Sequence, residues 1–168
     1  ILDILAGTAV EPNLGRFHRF PALIAIIAPL VSDAGALGGI LCSRLSSKLH
    51  LGVITPRGRP EAPAYLDASL IVAFGVVAFA AVGTLGYVYS LFVGQSPGPV
   101  VMIGGTMLAG MMAVVITIVT SYYLAILTYR RGLDPDNQTV PIITSVMDLF
   151  GVLSFLAVLS VLGVTGHV

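Results

Sequence analysis

Val140–Val164 reads VPIITSVMDLFGVLSFLAVLSVLGV, an apolar run with a single charged side chain, Asp148. A bilayer's hydrocarbon core is about 30 Å thick, and roughly 20 mostly apolar residues of α-helix cross it. A spanning segment must satisfy its own backbone hydrogen bonds, so an apolar run of this length reads as a transmembrane helix. Three more runs of the same kind precede it: Phe20–Ser47, Leu66–Val93 and Val100–Tyr129. Ile1–Val10 reads as the end of a further helix, partly truncated and closed by Glu11-Pro12-Asn13. The expected fold is an all-α membrane protein with five transmembrane helices in one domain over residues 1–168.

Composition agrees. The chain is 57% apolar and 10% charged, against about 25% charged residues in a soluble domain. A soluble fold of this size leaves much of its surface in water and cannot hide so much apolar area, whereas lipid removes the problem. The partner implied is therefore a lipid bilayer, and the expected location is the plasma membrane. The formal net charge of zero gives no electrostatic case for nucleic acid. With no tryptophan, an interfacial belt falls to Tyr65, Tyr87, Tyr89, Tyr122, Tyr123 and Tyr129. The chain begins without Met and inside an apolar stretch, which reads as the remainder of a longer sequence. No stretch has the composition of a soluble regulatory domain.

The linkers carry the orientation. Leu51–Ala64 holds three prolines and two arginines and reads as a surface loop. Gly94–Pro99 reads as a tight turn. In Arg130–Gln138, Gly132 stops one helix while Asp136 and Asn137 are candidates to cap the next. Arg44, Lys48, Arg57, Arg59, Arg130 and Arg131 fall on one side of the membrane, against Arg16 and Arg19 on the other. The positive-inside rule makes the first side cytoplasmic, with the N-terminus there and the C-terminus outside.

Asp148 leads the candidate chemistry. A carboxylate at membrane depth costs roughly 2.5–3.5 kcal/mol on insertion scales, so it needs a cation, water or a helix partner, and it marks an ion pathway. Thr144 and Gly151 are four residues before and three after it, on the same helix face. The hydroxyl adds an oxygen and the glycine allows close approach. Pro141 is expected in the first turn, where proline is tolerated. Asp33 is the second membrane-depth carboxylate, in Pro29-Leu-Val-Ser-Asp-Ala-Gly-Ala-Leu-Gly-Gly39. The proline and glycines permit a local break there that frees carbonyls toward a cavity. Asp3 is a third candidate for lining the ion path.

Two carboxylates and a hydroxyl form an all-oxygen set suited to Mg²⁺, Mn²⁺ or Ca²⁺. Mg²⁺ keeps several waters and needs only one or two carboxylates, so one Asp per helix matches a hydrated Mg²⁺ best. A proton or Na⁺ pathway stays open on chemistry alone. Asp67, Asp134, Asp136, Glu11 and Glu61 are expected to be caps or solvated charges. Cys42, the only cysteine, reads as a small packing residue. His18, His50 and His167 are scattered near interfaces, and the Met111–Met112 pair reads as lipid-facing or packing. The G-x-G-D signature of membrane aspartyl proteases is absent, and no Ser-His or Cys-His arrangement recurs at membrane depth, so an enzyme is not expected.

The stretch Pro141-Ile-Ile-Thr-Ser-Val-Met-Asp-Leu-Phe-Gly151 resembles the last-helix motif of the MgtE magnesium transporters, P-x-x-T-x-x-x-D-x-x-G, preceded by a loop like Leu133-Asp-Pro-Asp-Asn137. Ser43-Arg-Leu-Ser-Ser-Lys-Leu-His50 is similar to a stretch of the related solute carrier family 41. The resemblance implies a homodimer of five-helix domains with the ion path on the two-fold axis. It implies that Asp148 of each copy holds hydrated Mg²⁺, with Thr144 and Gly151 on the pore-facing stripe. The family's second helix carries G-N-x-G-N-Q where this chain has Ser32-Asp-Ala-Gly-Ala-Leu37. Gly35 is kept, the first Asn is Asp33 and the second is Ala36, which sets Asp33, Gly35 and Ala36 along the same path. The carboxylate in place of an amide also implies an alternative, an exchanger coupled to Na⁺ or H⁺ through Asp33. Gly75, Gly83, Gly86, Gly104, Gly105 and Gly110 are expected to give small-residue faces for close packing of a half-sized, paired transporter.

Overall fold

The structure is a computed structural model that describes residues 2–164, without the side chains of Asp3, Asn13, Leu14 and Arg16. All regular structure among the described residues is helical. The helices are α1 (Leu2–Val10), α2 (Leu14–Arg19), α3 (Pro21–His50), α4 (Ala62–Val93), α5 (Thr106–Arg130) and α6 (Pro135–Val161), and a π-helical turn, Val100–Gly105, leads into α5. Four helical stretches are long and apolar enough to cross a membrane: Pro21–His50, Ala62–Val93, Val100–Arg130 and Pro135–Val161. The nine residues of α1 reach only about 14 Å. The described residues thus hold four full spans, and α1, the partial first helix, packs on α6.

The helix ends follow local chemistry. Gly94 and Gly132 take φ of 74° and 70°, left-handed values that glycine adopts without strain; Gly94 caps α4, and Gly132 turns the chain just after Arg131, the cap of α5. The cap of α6 is Asp134, not Asp136 or Asn137; its side chain accepts from the Asp136 amide, with Pro135 at the first helical position. This early start moves Pro141 from the expected first turn into the helix interior. Pro29 likewise lies inside α3, which stays one continuous helix from Pro21 to His50, so the break expected near Asp33 does not occur.

α3 is central and packs on α4, α5 and α6. Close approach at glycines makes this possible. A Cβ on Gly38 would lie 2.4 Å from Ile143 Cγ2 of α6 and 3.0 Å from Thr117 Cγ2 of α5, so three helices converge on that hydrogen. Hydroxyls fasten the same seam. Thr117 Oγ1 donates to Met147 Sδ at 2.8 Å, and Ser121 Oγ donates to the Gly38 carbonyl at 3.4 Å. Cys42 is buried beside them, its Sγ 3.6 Å from the Ser121 carbonyl. Gly75, Gly83, Gly86, Gly105 and Gly110 also meet neighbouring atoms of the same chain, while Gly104 faces open space. The small-residue faces expected for pairing therefore serve mostly to bring this chain's own helices together.

Candidate functional site

α6 presents two adjacent stripes, each repeating every four residues. Ile143, Met147 and Gly151 are buried. Met147 is held by the Thr117 hydroxyl, and a Cβ on Gly151 would lie 3.1 Å from Val31 Cγ2. One residue on from each, Thr144, Asp148 and Val152 face a groove of about 490 Å³. Its opposite wall is α3, through Ile27, Ala28, Val31, Ser32 and Gly35. The helix period of 3.6 residues produces both stripes, and the buried one fixes the rotation that turns Asp148 into the groove. Asp148 stands midway along the 27-residue α6 and is half-buried.

Gly35 sets the groove's floor. A Cβ there would lie 3.3 Å from Thr144 Cγ2 and 3.6 Å from its Cα, so the glycine lets α6 settle against α3 where Thr144 begins the groove. Thr144 Oγ1 donates to the carbonyls of Pro141 and Val140, at 3.0 and 3.2 Å. Its proton is thus directed at its own helix, and the oxygen keeps lone pairs for an ion or its water. Ser32 adds a second hydroxyl, which the sequence reading had not singled out.

None of the other expected pore residues is among the described residues that line the groove. Gly151 is a contact glycine against α3 and does not line the groove. Ala36, one turn on from Ser32, is exposed. Asp33 is two residues from both Val31 and Gly35, which puts it about 160° around the helix from each. Helix period puts it on the side of Ile26 and Pro29, which face Val82 and Gly86 of α4, and it is not among the residues that line the groove. The Asp3 side chain, like His167, lies outside the described residues.

Asp67 corrects the sequence reading most. Expected to be a cap or a solvated charge, its side chain is 1% exposed in the first turns of α4. Arg44 Nε donates to Oδ1 at 2.8 Å, and Lys48 Nζ pairs with Oδ2 at 2.6 Å. Lys48 also donates to the Pro63 carbonyl at 2.8 Å. The signal in the sequence was the four-residue spacing of Arg44 and Lys48, which puts both cations on one face of α3. From the same stretch, Ser43 donates to Asp136, and Ser46 donates to Asp134 at 3.4 Å. The Ser43–His50 motif is therefore a clamp that ties α3 to the starts of α4 and α6.

This architecture is that of a polytopic α-helical membrane protein with a carboxylate midway across it, in a groove between two spanning helices. Residues 27–158 match the MgtE family, described as divalent cation transporters. Solute carrier family 41 member 3 of Rattus norvegicus is 32% identical over 165 residues, which cover 90% of this chain and 35% of that protein. The chain belongs to the MgtE family, a family of transporters rather than enzymes. It spans only about a third of the length of the curated relative it matches. No solved structure matches it significantly.

Proposed function

We propose that the protein carries Mg²⁺ across the plasma membrane, with the hydrated ion held by Asp148 of two copies paired about the groove. The observation that carries this reading is the groove itself. It sets a carboxylate and two hydroxyls, Asp148, Thr144 and Ser32, on one open face at membrane depth. A second copy apposed to this wall turns two open grooves into one enclosed path, and an ionisable residue at membrane depth is most often placed to line such a path. Six waters around an ion occupy roughly 180 Å³ at about 30 Å³ each, so about 490 Å³ per copy admits an ion with its hydration shell. Mn²⁺ shares the preference for oxygen ligands and is the nearest competitor, with Ca²⁺ next. The basic clamp end lies on the cytoplasmic side by the positive-inside rule, which leaves the end of α6 outside.

A second reading, coupled exchange, draws on Asp33. Its place outside the groove's lining suits a separate coupling ion better than shared ligation with Asp148. Protein reconstituted in liposomes separates the two readings. Uptake of Mg²⁺ that is indifferent to imposed Na⁺ and pH gradients is the expected result. Uptake that reverses with either gradient would favour exchange, and no Mg²⁺ uptake at all would remove the proposed cargo.

A further inference from the structure

A second cavity, of about 230 Å³, lies away from the groove, near the clamp end of the bundle. Its walls are apolar: Leu41 and Leu45 of α3, Ala68 of α4 and Ile118 of α5. Tyr65 and Tyr123 stand at its edge, 61% and 54% exposed, as amphipathic rings do at a membrane interface. An apolar cavity of about 150 Å³ takes a benzene ring, so this one takes a length of hydrocarbon chain but not a whole lipid.

The loop beside it is basic and fixed in place. Pro60 lines the cavity, and Arg59 directly precedes it. The hydroxyl of Tyr122, another lining residue, donates to the Arg57 carbonyl at 2.9 Å. Arg130 donates to the Pro56 carbonyl through Nε at 2.8 Å, which secures the loop from α5. Both Arg57 and Arg59 are exposed. The one acid in the loop, Glu61, accepts from the Thr55 hydroxyl and amide. These bonds, with a smaller contribution from Arg57, hold its carboxyl below the usual range. Arg57 and Arg59 against Glu61 leave the loop net positive, and Arg130 of α5 adds positive charge beside it.

From this pairing of an apolar cavity with a positive roof, we propose that the cavity binds an anionic phospholipid, its acyl chain between α3, α4 and α5 and its phosphate at Arg57 and Arg59. Charge complementarity selects the occupant. Any lipid offers a chain, but an anionic headgroup gains roughly fivefold in binding for each basic residue near the surface.

The chain has no tryptophan, so a single Tyr123→Trp substitution gives a reporter at the cavity's edge. The reporter protein goes into phosphatidylcholine vesicles containing equal mole fractions of either brominated phosphatidylcholine or brominated phosphatidylglycerol. The expected result is quenching by the anionic lipid at a several-fold lower mole fraction. A Leu85→Trp reporter, nearer the other end of α4, is expected to give coincident curves. Adding Arg57→Gln and Arg59→Gln to the Tyr123→Trp reporter is expected to bring its curves together, and adding Ala68→Phe to remove the preference by filling the cavity. Coincident curves in the unmodified Tyr123→Trp protein overturn the proposal. So does an equal preference at Leu85→Trp, or a preference that survives either the arginine or the Ala68 change.

Discussion

Replacing Asp148 with Asn is expected to lower Mg²⁺ flux in liposomes by about 100-fold or more while leaving the helices packed. Removing only outer-shell partners of a metal ligand costs 10–100-fold in affinity or activity, and Asp148 is proposed to face the ion or its water directly. Asn keeps the shape and one oxygen but removes the charge that attracts and holds a hydrated divalent ion. The change spares packing because the adjacent stripe of Ile143, Met147 and Gly151 carries the helix contacts. Thr144→Val, which keeps the volume and removes the oxygen, is expected to have a smaller effect of the same sign. Wild-type flux in Asp148→Asn would remove the groove from the ion path.

The second large effect concerns the clamp. Arg44→Gln combined with Lys48→Gln is expected to destabilise the fold by about 3–5 kcal/mol, because it leaves the Asp67 carboxylate buried without a cation. The reverse change is expected to be milder. Arg44 is 47% exposed and Lys48 23%, so with Asp67→Asn both cations can turn to water or headgroups, whereas Asp67, at 1%, has no such route. Adding Asp67→Asn to the double variant is therefore expected to recover most of the lost stability. Thermal unfolding in detergent measures all three variants. A double variant as stable as the wild type, or a triple variant no better than the double, would show that the pair does not hold the helix ends.

How far the sequence foretold this structure depends on which physics set each feature. The four spans were legible because lipid imposes length and apolarity on each run independently of its neighbours. Their ends were less so. α3 runs on to His50 because Lys48 has a tertiary partner in Asp67, and α6 starts at Pro135 because Asp134 caps it. The spacing of Arg44 and Lys48 marked a cationic face on α3, but its partner Asp67 was not legible because it comes from another helix across a loop. Half of the groove was legible: Thr144 and Asp148 are polar residues four apart in an apolar helix. Of the α3 wall only Gly35 was expected, from the family resemblance, because the stretch is apolar on several faces and periodicity alone does not show which one meets α6. Asp33 was legible only in part for the same reason. Its depth could be read from the run around it, but its angle relative to the groove follows from how packing at Gly35 and Gly38 turns α3.

The central claim is that two Asp148 carboxylates share one hydrated cation. Anomalous diffraction from crystals of the protein soaked in Mn²⁺ tests it most directly. The account predicts a single peak on a two-fold axis between the two grooves, at a water-mediated distance from Asp148 of each copy and lost in Asp148→Asn crystals. A peak beside Asp33 with the grooves apart, or a groove filled by lipid in well-ordered crystals, would contradict it.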